Sequence, residues 1–154
     1  MSVYLLERTQ FLPVSLEEAW AFFSAPGNLA NITPPEMGFE VLSESGTGSI
    51  YPGQIITYYV RPLWGLRFFW MTEITHVRDL EYFVDEQRKG PYAFWHHTHF
   101  FRPVPGGVMM QDQVYYQLPF GPLGQLARAL VVKKKLEGIF DFRFRYLEKH
   151  FAHR

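Results

Sequence analysis

The chain has 154 residues, no cysteine and a formal net charge of zero. The absence of cysteine excludes disulfides, thiolate catalysis and cysteine-ligated zinc, and the balanced charge gives no indication of a nucleic-acid partner. No apolar run approaches the ~18 residues that span a bilayer, and the polar N-terminal segment is unlike a signal peptide. We therefore expect one cytoplasmic domain over residues 1–154, with enough aromatic residues (18%) to line a cavity or an interface as well as a core.

The first third of the chain predicts a strand followed by short helices. Apolar and polar residues alternate over Tyr4–Leu12, which is typical of a half-buried strand. Ser15 and Glu18 form a capping box at the start of an amphipathic helix over Ser15–Ser24. Asn28–Ile32 can add one helical turn before two prolines impose an extended backbone.

Short apolar-rich segments separated by glycine and proline follow these helices. Strands so close together in sequence favour an antiparallel meander, because hairpin turns can join them directly. The six expected strands are Phe39–Glu44, Gln54–Arg61, Arg67–Val77, Glu81–Arg88, Tyr92–Arg102 and Val108–Leu118.

The last part of the chain, from about Pro122 to Phe151, has the apolar spacing of one long helix. Its apolar stripe changes direction over Lys133–Gly138, so its two halves are expected to face different surroundings. The side chains expected to face the sheet are Phe140, Phe144 and Leu147. Those expected near a cavity entrance or a homodimer contact are Leu123, Leu126 and Leu130.

One face of the strand Tyr92–Arg102 carries two imidazoles between two large aromatic side chains, because alternate residues of a strand share a face. That face holds Trp95, His97, His99 and Phe101. The following strand has its own alternating set, which consists of Met110, Asp112, Val114 and Tyr116. Two polar groups opposite a mainly apolar set are typical of a small-molecule cavity.

The lengths of the two turns flanking this strand set the expected register. With a hairpin turn at Pro103–Gly107, we expect His99 and Asp112 to lie within direct or water-bridged hydrogen-bond distance. The expected neighbours are Phe101 with Met110, His99 with Asp112, His97 with Val114, Asp85 with Trp95, and Phe83 with His97.

Several segments spread over nearly the whole chain carry a family resemblance. They are Asn28–Phe39, Trp70–Ile74, Phe83–Gln87, Gly90–Phe101 and Asp112–Gly124. They are similar to the bacterial ligand-binding branch, labelled polyketide cyclase/dehydrase-like, of the START-like, birch-pollen-allergen-like superfamily. The resemblance implies an α+β helix-grip fold. In that fold a curved antiparallel sheet of about seven strands wraps around a long C-terminal helix, with two short helices after the first strand.

The same fold implies a cavity between the concave face of the sheet and the long helix. We expect the more apolar strand faces to point into it, with Asp85, His97, His99 and Asp112 as candidates for catalysis or for holding a polar group. The residues expected to contact a ligand are Trp70, Thr72, Phe83, Asp85, Gln87, Trp95, His97, His99, Phe101, Asp112, Val114, Tyr116, Phe140 and Phe144.

Three functions stay open on these observations. The first is binding of an apolar or amphipathic small molecule, such as a lipid, an isoprenoid or an aromatic polyketide. The second is a cyclase, dehydratase or hydrolase in which His97 or His99 is the general acid or base. The third is a protein-interaction module that uses the exposed aromatic side chains of Phe94, Phe100 and Tyr115 together with the apolar stripe over Leu123–Val131.

A metal site is a further chemical possibility at the two histidines. The His97-x-His99 pair with a carboxylate from Asp112 or Asp85 could supply three ligands and leave open positions. Pairs of this kind are common on strands without a metal, and the sequence shows no outer shell of supporting residues. The sequence therefore predicts neither a metal nor a cofactor.

Overall fold

The computed structural model describes residues 2–44, 48–62, 65–119, 121–122 and 125–152, with the backbone alone at 125–128. The strands are β1 (Tyr4–Leu12), β2 (Glu40–Glu44), β3 (Gln54–Val60), β4 (Phe68–Arg78), β5 (Tyr82–Lys89), β6 (Phe94–Val104) and β7 (Gly107–Gln117). The helices are α1 (Leu16–Phe23), two 3₁₀ turns at Pro26–Asn28 and Pro35–Met37, and α2 (Gln125–Ala152).

The strands form one antiparallel sheet in the order β1-β7-β6-β5-β4-β3-β2. This order confirms the predicted meander and the α+β helix-grip architecture, with β1 added beside β7. The Ser15 hydroxyl accepts a hydrogen bond from the Glu18 N–H at 3.1 Å, as the capping box predicts for α1. The predicted turn near Asn28–Ile32 is present: a 3₁₀ turn at Pro26–Asn28 leads into it, and the Asn31 N–H donates to the Asn28 carbonyl oxygen at 3.1 Å. A further 3₁₀ turn follows at Pro35–Met37.

The β6–β7 hairpin has the predicted register, in which His99 lies opposite Asp112 and His97 opposite Val114. The turn requires glycine at two positions. Gly106 has a positive φ of 84°, which favours glycine. A Cβ atom on Gly107 would collide with the Leu12 carbonyl oxygen of β1. The close packing of β1 against this turn therefore helps to hold the register of the hairpin.

The predicted β5–β6 register is wrong by two residues. Asp85 lies opposite His97, not Trp95, and Phe83 lies opposite His99. The connection is longer than the sequence suggests because the Gln87 side chain bonds to both the N–H and the C=O of Tyr92, at 3.0 and 2.7 Å. A shift of two residues keeps every side chain on its predicted face.

The second half of α2 faces the sheet through Phe140 and Leu147, which are 6% and 0% exposed. Phe144 was also expected there, and this prediction is wrong because its exposure is 39%. Arg143 is buried instead, and Phe144 follows it by about 100° around the helix. Leu130 is exposed at 63%, whereas the side chains of Leu123 and Leu126 lie outside the described residues.

The opposite face of the sheet carries the exposed aromatic residues named above. Phe94, Phe100 and Tyr115 are 40%, 37% and 37% exposed. Within the described ranges, no helix combines the length and the apolar character that crossing a membrane would require.

Candidate functional site

A cavity of about 440 Å³ lies between the sheet and α2. Its wall is mainly apolar and includes Tyr58, Trp70 and Trp95. The ring centroid of Trp70 lies 5.8 Å from that of Tyr58 and 5.3 Å from that of Trp95. Among the described residues, the charged and imidazole side chains on the wall are Asp85, His97, His99, Lys135 and Arg143. A large apolar wall with a few convergent polar groups is the usual construction of a small-molecule site.

The predicted site residues divide between this wall and its surroundings. The eight on the wall are Trp70, Thr72, Phe83, Asp85, Trp95, His97, His99 and Phe140. The other six, which do not line this cavity, are Gln87, Phe101, Asp112, Val114, Tyr116 and Phe144. Each of these six has a local reason for its position.

Packing accounts for most of the residues away from the wall. Gln87 is bonded to the β5–β6 turn, and Phe101 packs edge-on against Trp20 of α1 at 5.3 Å. Val114 and Tyr116 lie in an apolar cluster with the first half of α2. Both side chains are buried in this cluster, at 0% and 3% exposure.

Four side chains form a compact polar group that we name the His–Asp cluster: Asp85, His97, His99 and Asp112. The two imidazoles stack with their centroids 3.7 Å apart. Asp112 Oδ1 lies 2.8 Å from His97 Nε2 and 3.3 Å from His99 Nδ1. Asp85 Oδ2 lies 2.6 Å from His99 Nε2 and 3.5 Å from His97 Nδ1. Each imidazole therefore spans the gap between the two carboxylates.

The two carboxylates occupy different environments. Asp85 is on the cavity wall, and its second oxygen, Oδ1, accepts a hydrogen bond from Trp95 Nε1 at 3.3 Å. Asp112 is only 2% exposed and lies away from the cavity wall, beside Arg143. The imidazoles thus have one carboxylate on the side of the cavity and one on the side of the protein interior.

Arg143 is the member of the site that the sequence reasoning missed. Its Nη2 lies 3.1 Å from Asp112 Oδ1, and its guanidinium carbon lies 5.3 and 5.6 Å from the ring centroids of Phe23 and Phe140. Its position along the helix could have indicated that it is buried. Arg143 comes three residues after Phe140 and four before Leu147, which places it on the buried stripe of a helix.

Electrostatics make the two histidines unlike each other. Burial, with a further contribution from the neighbouring His99, lowers the pKa of His97. Burial also opposes the charged form of His99, but hydrogen bonds and charge attraction from Asp112 and Asp85 outweigh it and raise its pKa. The cluster therefore favours a proton on His99 over one on His97.

Both carboxylates stay ionised in spite of their burial. For Asp112, Arg143 and the histidines overcome the effect of burial and hold its pKa well below the ordinary value. For Asp85, His97 and His99 overcome burial in the same way and lower its pKa. Two carboxylates and one guanidinium leave one negative charge, which a protonated His99 would balance.

Further polar groups lie on the cavity wall outside the cluster. The Tyr58 hydroxyl and Thr72 Oγ1 are 3.1 Å apart, and burial raises the pKa of Tyr58. Trp70 also lies on the wall, but its Nε1 has almost no accessible surface and no hydrogen-bond partner among the described residues.

Comparisons with known proteins give similarity at the level of structure. No family model matches the sequence, and no curated protein matches it either. A START superfamily protein from Mycobacterium smegmatis has a TM-score of 0.70 and 14% identity, over 96% of this chain and 97% of that chain. The major latex-like protein 151 of Panax ginseng has a TM-score of 0.69 and 10% identity, over 97% of both chains.

A third similar structure is that of Ara h 8.0201, with a TM-score of 0.64 and 17% identity over 96% of this chain and 99% of that chain. These identities are low, but the alignments cover nearly every element from β1 to α2. The chain therefore has the helix-grip fold of START-like and birch-pollen-allergen-like proteins.

Proposed function

We propose that the chain binds an apolar or amphipathic small molecule of the lipid, isoprenoid or aromatic polyketide type. The observation that carries this proposal is the cavity of about 440 Å³, whose mainly apolar wall has one polar cluster. Cavities of ~300–1,000 Å³ are typical of small-molecule sites. Apolar burial would supply most of the binding free energy, and the polar groups would orient the ligand.

Two parts of the wall support an amphipathic ligand over a purely apolar one. The aromatic rings of Tyr58, Trp70 and Trp95 supply a flat apolar surface. Three members of the His–Asp cluster, Asp85, His97 and His99, supply hydrogen-bonding groups on the same wall. A ligand with a ring system or chain and one or two oxygen atoms would match both parts.

The direct test is native mass spectrometry of the freshly purified protein, with extraction and identification of any small molecule it carries. We expect a lipid-like or polycyclic species at one per chain. Binding can also be followed with the fluorescent apolar probe 1-anilinonaphthalene-8-sulfonate, which such a molecule should displace. No co-purifying molecule and no saturable probe binding would contradict the proposal.

A matched pair of variants on β3 tests the location of the ligand. Ile56 is on the cavity wall, whereas the adjacent Ile55 side chain belongs to the other face of the strand. Ile56→Phe should fill part of the cavity and weaken probe binding, while Ile55→Phe should leave it unchanged. Equal effects of the two substitutions would indicate binding outside the cavity.

Acid–base catalysis is the second candidate function, and the unlike histidines on the cavity wall favour it. His99, with its raised pKa, is suited to donate a proton, and His97, with its lowered pKa, is suited to accept one. Cyclase, dehydratase and hydrolase reactions can each be catalysed by a general acid paired with a general base. Incubation of the co-purified ligand with the protein in deuterated water, followed by NMR of the ligand, would detect proton exchange or turnover. His99→Gln should abolish either process.

A further inference from the structure

We propose that Asp85, His97 and His99 form a site for one divalent first-row transition-metal ion, of the zinc or ferrous-iron type, on the cavity wall. Each residue offers one ligand atom, and these atoms lie within 4.8 Å of one another. Two imidazoles and one carboxylate are a ligand set that such ions accept, with positions left open for water or a substrate.

The distances in the cluster are close to those that a metal requires. Asp85 Oδ2 is 2.6 Å from His99 Nε2 and 3.5 Å from His97 Nδ1. Metal–ligand bonds of about 2.0–2.1 Å in a tetrahedral site would hold the ligand atoms roughly 3.3 Å apart. These two separations lie on both sides of that value, and the two imidazole ligand atoms lie within 4.8 Å of each other, so side-chain rotations would complete the site. All three residues line the cavity, which leaves room for further ligands.

On the side away from Asp85, His97 has the support that a metal-binding histidine usually has. Its Nε2 is hydrogen-bonded to Asp112 Oδ1 at 2.8 Å, whereas His99 Nδ1, 3.3 Å from the same oxygen, makes no hydrogen bond among the described residues. A carboxylate in this position fixes the tautomer and the ring orientation of a ligating histidine. Arg143, 3.1 Å from Asp112, holds that carboxylate in its ionised form.

Asp85 is oriented in a similar way. Trp95 Nε1 donates a hydrogen bond to Oδ1 at 3.3 Å, while Oδ2 faces the imidazoles. This contact leaves Oδ2 as the ligand atom. The supporting residues therefore come from three elements, β6, β7 and α2, which is why a strand-level sequence pattern does not reveal them.

Charge balance also favours a cation at this point. With neutral imidazoles, Asp85 and Asp112 carry two negative charges against the single positive charge of Arg143. Buried charges are stable only when they are paired or bound to a metal. A divalent ion bound by neutral imidazoles and ionised carboxylates would more than offset this negative charge and leave the group with one net positive charge.

The test uses the full chain, stripped of metal with a chelator and checked by circular dichroism to be folded. Isothermal titration with Zn²⁺ should give one ion per chain, and Co²⁺ should give visible absorption bands from a site with nitrogen and oxygen ligands. In ¹⁵N-labelled protein, Zn²⁺ should shift the signals of His97 Nδ1 and His99 Nε2. Absence of stoichiometric Zn²⁺ and Co²⁺ binding to the folded protein would overturn the proposal.

Variants identify the ligands. Asp85→Asn and His99→Ala should abolish stoichiometric binding, and Asp112→Asn should weaken it about 10–100-fold because it removes outer support. His96→Ala is the matched control, because His96 stacks with Phe94 on the other face of β6, and it should bind as the wild type does. Loss of binding in His96→Ala, or full binding in Asp85→Asn, would refute the site.

Two readouts keep the test decisive where a substitution unfolds the chain. If His99→Ala does not fold, the nitrogen shifts in the wild-type protein decide, since other histidines would respond if the ion bound elsewhere. Binding of the fluorescent probe 1-anilinonaphthalene-8-sulfonate to the metal-stripped protein is measured separately. It tests the cavity as a ligand site without reference to the metal.

Discussion

Asp112 is hydrogen-bonded to His97 at 2.8 Å, although the β6–β7 ladder places it directly opposite His99. Asp85 shows the same diagonal relationship. It lies opposite His97 in the β5–β6 ladder, but its shorter contact, 2.6 Å, is with His99. Side chains on adjacent strands reach their diagonal neighbours when they are long enough. The crossed contacts bring both imidazoles between both carboxylates, so the four groups act as one unit.

The buried face of α2 can be tested with two neighbouring aromatic residues. Phe140 is 6% exposed and lies on the cavity wall, whereas Phe144 is 39% exposed. Phe140→Ala should lower the free energy of unfolding by about 3–5 kcal/mol, and Phe144→Ala by no more than about 1 kcal/mol. Urea unfolding measures both. Equal costs would show that the helix is rotated from its described position.

The two cluster histidines should titrate differently in metal-free protein, because burial lowers the pKa of His97 while the two aspartates raise that of His99. NMR of the ring protons should give an apparent pKa below the ordinary histidine value for one ring and above it for the other. Asp112→Asn should lower the pKa of His99, because it removes a carboxylate that stabilises the imidazolium. The exposed Asp79→Asn variant should change neither ring. Identical, solvent-like titration of both rings would contradict the described burial.

Much of the fold was predictable because its signals are local. Alternation, breakers and the capping box locate the strands and α1, and the short β6–β7 turn fixes the pairing of His99 with Asp112. The β5–β6 register was not predictable from turn length alone. It depends on the bonds of the Gln87 side chain to the Tyr92 backbone, which a pattern of apolar residues does not encode.

The site was predictable only in part for a similar reason. Alternate residues of a strand point to the same face, so strand geometry alone predicts that Asp85 of β5 and His97 and His99 of β6 share one face of the sheet. The prediction that Phe144 is buried was wrong because apolar character favours a phenylalanine over the neighbouring arginine. The burial of Arg143 is explained only by its tertiary contact with Asp112. The diagonal hydrogen bonds likewise depend on side-chain rotamers.

Acid should destabilise the protein through the buried carboxylates. The folded-state pKa of Asp112 lies well below its ordinary value, and that of Asp85 is also lowered. Their ionised forms therefore add stability above the unfolded-state pKa of ~3.9, and this contribution is lost as pH falls through the folded-state pKa. Urea unfolding below about pH 4 should show a steep loss in the wild type.

The same pH series has a control and a second expectation. Asp112→Asn should make the acid loss shallower, whereas the exposed Asp79→Asn should keep the wild-type slope. As pH falls through the ordinary histidine pKa of ~6.5, His97 takes up its proton more readily in the unfolded state, so its protonation destabilises the fold. His99 takes up its proton more readily in the folded state, so its protonation stabilises the fold. These two contributions oppose each other, so we expect a small net change there. An unchanged acid slope in Asp112→Asn would show that another group controls acid unfolding.

The ion pair between Arg143 and Asp112 should behave as a coupled buried pair, because both side chains are less than a tenth exposed, at 7% and 3%. Arg143→Met leaves the Asp112 carboxylate without its nearest permanent positive charge, so we expect a loss of about 3–5 kcal/mol in the free energy of unfolding. Asp112→Asn leaves a buried guanidinium unpaired and should cost a similar amount.

The double variant decides whether these costs come from the pair itself. When both charges are removed, neither remains buried alone, so Arg143→Met with Asp112→Asn should be more stable than the sum of the single losses by about 0.5–3 kcal/mol. Arg145→Met, at an exposed position two residues further along α2, should be close to neutral and additive with Asp112→Asn. Strict additivity of the Arg143 and Asp112 substitutions would mean that the guanidinium stabilises α2 through its contacts with Phe23 and Phe140, and not through the charge of Asp112.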